Sequence, residues 1–127
     1  MLLLFQKLSF ADTTSHNTTS GDWQDAYTFT FEAPRDCVAI ILAAANGFGS
    51  GSNPYGYARL NLDGSVITEE RYYRAVAGTD SDAFTLFSFQ TALAAGSHTL
   101  KMQYRAAGDG STVYIDDCKI EILLIYQ

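Results

Sequence analysis

Ser97-His98-Thr99-Leu100-Lys101-Met102-Gln103-Tyr104-Arg105 decides the fold. Leu100, Met102 and Tyr104 fall on one face of an extended chain, and Thr99, Lys101, Gln103 and Arg105 fall on the other. A two-residue period of this kind is what a sheet with one packed and one wet face requires. On its N-terminal side, residues 84–90 (FTLFSFQ) lead in through residues 92–95, where a short helical turn is possible until Gly96 stops it. On its C-terminal side, Gly108-Asp109-Gly110 feeds Thr112-Val113-Tyr114-Ile115, Asp116-Asp117 makes a bend, and residues 118–127 form a last strand.

The same pattern extends upstream. Residues 2–10 read as a first strand, and residues 11–22, rich in Thr, Ser, Asn and Asp, as a long surface loop. Residues 27–32 (YTFTFE) alternate aromatic and polar. Pro34 marks a turn, since it presets its own φ and has no N–H for a ladder. Residues 37–45 (CVAIILAAA) are apolar on both faces, and residues 46–56, with four glycines, read as a glycine-rich loop. Residues 57–62 form a strand that turns at Asp63-Gly64, a pair suited to the positive φ angles of a type I′ hairpin. Residues 65–76 return from it and 77–82 form a loop. The expectation is one all-β domain over residues 1–127, a jelly-roll β-sandwich of about eight antiparallel strands.

Composition narrows the function classes. With 47% apolar and 13% aromatic residues among 127, the chain has the means to fold around a core without metals or disulfides. Fourteen acidic against eight basic residues give a net charge of −6, and the basic residues are scattered along the sequence, which speaks against nucleic acid as a partner. The opening MLLLFQKLSF lacks a basic start and an uninterrupted apolar run, so it reads as a strand rather than a signal peptide. No apolar run approaches the roughly 20 residues of a membrane helix, so no membrane partner is expected. Cys37 and Cys118 stand 81 positions apart and outside any metal-binding spacing. They are either two free thiols or one disulfide.

Catalytic chemistry lacks components. His16 lies in the Thr/Ser-rich segment and His98 at a strand entry, both without a nucleophile-elbow context, so each reads as solvated or locally hydrogen-bonded. Glu69 and Glu70 are adjacent on a strand and point to opposite faces. Asp80-x-Asp82 lacks the further ligands of a calcium loop. The expectation is no catalytic residue, no metal and no cofactor.

Binding groups are better represented. Trp23, Tyr55, Tyr57, Tyr72 and Tyr73, with Phe48, offer flat faces for stacking on sugar rings, anchors for a protein interface, or core packing. The final strand carries Ile120, Ile122, Leu124 and Tyr126 on one face and Leu123 and Ile125 on the other. Val38 and Ile40 make the 37–45 strand apolar on both faces as well. Either both faces of these strands are covered within the chain, or Val38, Ile40, Leu123 and Ile125 form an oligomer interface.

The 93–105 segment, with Gly110-x-Thr112-Val113-x-Ile115 and the Ile120-Glu121-Ile122-Leu123 ending, resembles compact jelly-roll domains of bacteriophage virion proteins: head-decoration, head-fibre and tail-fibre-tip modules. It also resembles the tumour-necrosis-factor-like trimer fold. The resemblance covers about 45 residues and implies a fold, with no functional residues to transfer. It implies a homotrimer and a non-enzymatic structural role on a virion, with a capsid or other virion protein as partner and synthesis in the host cytoplasm. The N-terminal strand and the Thr/Ser-rich segment are the parts expected to engage the particle, by adding to a neighbour's sheet edge. A carbohydrate-binding module of a phage receptor-binding or bacterial surface protein, extracellular or at the cell surface, is the alternative.

Overall fold

The computed structural model describes residues 4–50, 55–74, 82–107 and 110–127. Among these residues ten strands follow one another: β1 (Phe5–Asp12), β2 (His16–Thr18), β3 (Gln24–Ala33), β4 (Cys37–Ser50), β5 (Tyr55–Leu62), β6 (Ser65–Val66), β7 (Arg71–Arg74), β8 (Asp82–Leu93), β9 (Gly96–Ala106) and β10 (Thr112–Tyr126). Every pairing is antiparallel.

The strands build two sheets. The first has the order β1-β10-β4-β8, with β2 also on β10. The second has the order β3-β9-β5, with β6 and β7 both on β5. The pairings β1·β10, β3·β9, β4·β8 and β5·β7 are nested one inside the next along the sequence. A long antiparallel ribbon rolled up on itself produces this nesting, and the roll adds the pairings β10·β4 and β9·β5. The fold is a jelly-roll β-sandwich.

Alternation along each strand fills the space between the sheets. Ile41, Ala39 and Ala43 of β4 and Ile120, Ile122 and Leu124 of β10 come from one sheet. Leu60 of β5 and Leu100 and Met102 of β9 come from the other, and all of these are fully buried. Phe10 and Phe29 meet across the layers with ring centroids 5.1 Å apart. A jelly roll of this length has a core made almost wholly of long-range contacts, so no short fragment carries it.

Two turns are set by backbone chemistry. Asp63 and Gly64 have φ of 53° and 89°, both positive as a type I′ turn requires, and Asn61 Oδ1 accepts the Gly64 N–H at 3.0 Å. Asp116-Asp117 is not a bend between two strands. It is a bulge inside the 15-residue β10, with Asp117 at φ 52° and a register shift between Asp116 and Lys119. The bulge divides the strand's outer edge, which pairs with β2 before it and with β1 after it.

Several segments differ from the sequence expectation. Residues 11–22 are not one surface loop: Ala11 and Asp12 end β1, and His16-Asn17-Thr18 pairs with Ile115-Tyr114-Val113. Pairing is a main-chain transaction and needs no apolar side chain, so the polar composition hid it. The glycine-rich segment 46–56 is also strand at both ends. Asn46–Ser50 continues β4 because β10 runs alongside it as far as Thr112, Tyr55 and Gly56 begin β5, and residues 51–54 lie outside the described residues. The return from Asp63-Gly64 pairs with β5 at Ser65-Val66 and again at Arg71–Arg74, with residues 67–70 unpaired between them. Glu69 and Glu70 therefore lie in a connection and not on a strand. Leu93 stays in β8 and Ala94-Ala95 make a tight link to Gly96, whose φ of 124° breaks any helical turn. The turn at Gly108-Asp109, the carboxylate of Asp80 and Ala75–Val76 lie outside the described residues.

Candidate functional site

The outward face of the first sheet is apolar. Strand registers place Phe5, Ile125 and Val38 in one row, and Lys7, Leu123, Ile40 and Phe89 in the next. Ser9, Glu121, Leu42 and Phe87 form the third row. Leu42, Phe87 and Phe89 are about half exposed or more (48%, 61% and 52%), and Ile125 is 38% exposed. The four interface candidates Val38, Ile40, Leu123 and Ile125 are therefore neighbours on one surface. Among the described residues no element covers it, and β4 and β10 meet the core through their inner faces. The sequence missed Phe87, Phe89 and Leu42, whose period-two spacing on β8 and β4 was the available signal. The two charged side chains within these rows, Lys7 and Glu121, face each other. Glu121 accepts the Ser9 hydroxyl at 2.5 Å and lies 3.9 Å from Lys7.

The outward face of the second sheet is built differently. Trp23 precedes β3, Arg105 lies on β9, Tyr55, Tyr57 and Arg59 alternate along β5, and Tyr72 and Arg74 lie on β7. Register sets Tyr57 opposite Arg105 on one side and Tyr72 on the other, and Tyr55 opposite Arg74. The Arg59 guanidinium carbon sits 4.1 Å from the Trp23 ring centroid, and that of Arg105 lies 5.2 Å from Trp23 and 4.3 Å from Tyr57. Tyr55 and Tyr72 stack at 5.2 Å, Tyr72 meets Tyr57 edge-on at 5.6 Å, and Arg74 stands 5.8 Å from Tyr55. The result is a continuous ladder of rings and guanidinium groups.

A hydrogen-bond relay fixes one end of that ladder. Arg59 Nε donates to Gln103 Oε1 at 2.9 Å, and Gln103 Nε2 donates to Asp25 Oδ1 at 2.9 Å. Lys101 Nζ donates to the other Asp25 oxygen at 2.9 Å. The Gln103 amide, with Lys101 beside it, holds the Asp25 carboxyl below its usual range. The scattered basic residues of the sequence are thus partly gathered, because Arg59, Arg74 and Arg105 come from three strands that register brings side by side.

Tyr73, expected among the ligand-binding aromatics, is not on this surface. Adjacent residues on a strand point to opposite faces, so exposure of Tyr72 buries Tyr73. Its ring is fully buried, stacked on Phe84 at 5.1 Å, and its hydroxyl has no partner among the described residues. Burial holds that hydroxyl's pKa well above the usual tyrosine value. Phe48 also stands apart, stacked on Tyr114 at 4.7 Å on the first sheet.

His98 is buried and locked. Its Nδ1 lies 2.5 Å from Asp63 Oδ2 and its Nε2 lies 2.7 Å from the Ala94 carbonyl oxygen. Both partners only accept, so the doubly protonated ring is the form that satisfies both. Burial favours the neutral ring, but the Asp63 and Ala94 hydrogen bonds outweigh it and raise the pKa above 6.5. Asp63 Oδ1 also accepts the Thr99 N–H at 2.8 Å, tying the hairpin to β9. With both nitrogens committed, His98 has no position from which to activate a hydroxyl. His16 packs edge-on against Tyr27 at 4.9 Å. Among the described residues no three His, Cys, Asp or Glu side chains converge as metal ligands, and Cys37 and Cys118 are both buried free thiols.

No family model and no curated protein matches the chain. Solved structures match at the level of fold. A chain of infectious bursal disease virus (Gx strain) superposes with a TM-score of 0.60 at 9% identity over 95% of this chain and 32% of its own. The tripod of the bacteriophage Tuc2009 baseplate gives 0.55 at 18% identity over 95% of this chain and 64% of its own. The CBM36-1 domain of a multidomain xylanase from the hindgut metagenome of Trinervitermes trinervoides gives 0.53 at 14% identity, covering 89% of this chain and 96% of its own. The chain therefore spans about a third of the bursal disease virus chain and under two-thirds of the tripod chain. Viral structural domains and a carbohydrate-binding module share its sandwich.

Proposed function

We propose that the chain is a non-enzymatic structural module of a virion, a capsid-decoration or fibre- and tail-tip unit that works by surface contact as a homotrimer. The observation that carries this reading is the outward face of the first sheet: eight apolar side chains in contiguous rows, several of them half exposed, with no covering element among the described residues. Contiguous exposed apolar surface of this kind marks an interaction site. Second copies of the chain are the occupants we assign to it, because the two charged side chains within its rows, Lys7 and Glu121, already face each other and ask nothing of a foreign partner. The viral and phage sandwich neighbours support a particle-bound location, and a capsid or virion protein is the further partner, met at the edge strand β1.

The test is substitution on that face and away from it. Leu123→Glu or Ile125→Glu is expected to yield folded monomers, since a carboxylate enclosed in an apolar interface costs several kcal/mol. His16→Ala, on the opposite reaches of the fold, is expected to leave assembly unchanged. Assembly that survives charge at Leu123 and Ile125 refutes the assignment.

A second reading, a carbohydrate-binding module, is favoured by a separate observation: Trp23, Tyr55, Tyr57 and Tyr72 lie on one exposed face with arginines between them. The two readings use opposite faces of the sandwich and are compatible in one protein.

A further inference from the structure

We infer that the ring-and-guanidinium face of the second sheet binds an acidic, carboxylate-bearing oligosaccharide, an inference that rests on the carbohydrate-binding reading and names its ligand class. Three features of the face carry it.

The first is what the arginines do with their donors. A guanidinium has five N–H groups in a planar fork suited to a carboxylate. Among the described residues Arg59 spends only its Nε–H, on Gln103, and no carboxylate lies within ion-pair distance of it. Arg74 is exposed, Asp82 accepts its main-chain N–H at 3.3 Å, and among the described residues no carboxylate makes an ion pair with its guanidinium. Among the described residues Arg105 alone of the three has an acidic partner, Glu70 at 3.5 Å, a long and half-exposed contact that a ligand carboxylate can displace. On a chain of net charge −6, two arginines without an acidic partner among the described residues, on one face, are positive charge retained against the overall balance.

The second is preorganisation. Stacking on Trp23 and Tyr57 occupies the flat faces of Arg59 and Arg105 and leaves their N–H edges available. The Gln103–Asp25 relay fixes Arg59 further. Little side-chain freedom is then lost on binding.

The third is shape and size. Rings alternate with guanidinium groups across β3, β9, β5 and β7. Four strands at about 4.8 Å spacing span roughly 14 Å. That is a flat track for several sugar rings, with the Tyr55–Tyr72 and Tyr57 rings as apolar platforms and the arginines as carboxylate clamps. Single-stranded nucleic acid is the rival ligand for such a face. A chain this acidic opposes a ligand with a charge at every unit, whereas a spaced carboxylate asks for the two or three positions present.

The experiment uses the full chain on immobilised glucuronate-substituted oligoxylose, sialylated oligosaccharide, neutral oligoxylose and oligothymidylate at constant salt. Retention of a carboxylated glycan at least tenfold tighter than the neutral one is expected. It should weaken tenfold or more in Arg74→Gln, an exposed substitution that leaves the fold intact, and in Arg59→Gln with an unchanged circular dichroism spectrum. Equal or tighter retention of the neutral glycan overturns the inference and leaves the carbohydrate-binding reading standing. Retention of no glycan overturns both, and retention of oligothymidylate alone replaces the ligand class with nucleic acid. Acidic-glycan binding unmoved by either arginine substitution overturns the assignment to this face.

Discussion

Replacing Gly47 or Gly56 with alanine tests how the two sheets close on Tyr73. The two glycines lie on β4 and β5, one in each sheet, and flank the buried ring. A Cβ at Gly47 would stand 2.3 Å from Tyr73 Cδ2 and 2.5 Å from Cε2. A Cβ at Gly56 would stand 2.3 Å from Cζ and 2.5 Å from the hydroxyl oxygen. Carbon contacts are favourable at about 3.5–4.0 Å, so the ring must move by more than 1 Å to admit either methyl. It has no clear direction in which to move, because the other glycine backbone blocks one edge and Phe84 stacks on its face at an interplanar angle of 8°. Overpacking a core costs about 1–3 kcal/mol, and this site belongs at the upper end. With unfolding entropy of about 2.1 cal/mol/K per residue, 3 kcal/mol lowers the midpoint of a chain this size by roughly 11 °C. Neither glycine has positive φ, so apart from the ring the substitution stabilises by roughly 0.4–1 kcal/mol through the unfolded state. The sign is therefore diagnostic. Scanning calorimetry should find Gly47→Ala strongly destabilising alone and neutral or stabilising when added to Tyr73→Ala. A Gly47→Ala midpoint within 2 °C of the parent chain refutes the packing argument.

Three further outcomes are expected. Gly64→Val should destabilise by about 1 kcal/mol or more in urea unfolding, because a β-branched residue resists the φ of 89° that the hairpin imposes. The His98–Asp63 pair gives stability a pH window. The raised His98 pKa contributes fully below 6.5 and is lost as pH rises through the folded value, and the depressed Asp63 pKa contributes above 3.8 and is lost as pH falls through its folded value. Urea midpoints should therefore peak between about pH 4 and 6.5, and Asp63→Asn should flatten the alkaline limb. Cys37 and Cys118 are buried, and burial pushes the Cys118 thiol up to about 12, so a thiol reagent at pH 8 should label neither until the chain unfolds.

Much of the architecture was legible because apolar alternation and turn chemistry are local signals. The β9 alternation and the positive-φ Asp63-Gly64 hairpin are where the residues put them. What stayed hidden depends on partners distant in sequence. The strand character of His16-Asn17-Thr18 comes from the edge of β10, and that of Asn46–Ser50 from β10 and β8, and neither shows in side-chain polarity. The candidate site was half visible. Four of the five aromatics do share a surface, but strand alternation already required Tyr72 and Tyr73 to part company. The three arginines that turn those aromatics into a charged ladder are separated by up to 46 positions in the sequence, and only the β9-β5-β7 register brings them together.

The apolar outward face of the first sheet is the centre of the functional account, and the solution mass of the full chain tests it most directly. Sedimentation equilibrium at micromolar concentration should give a single species of three times 13.9 kDa, converted by Leu123→Glu into folded monomer. A wild-type chain that sediments as a 13.9 kDa monomer across that range contradicts the account.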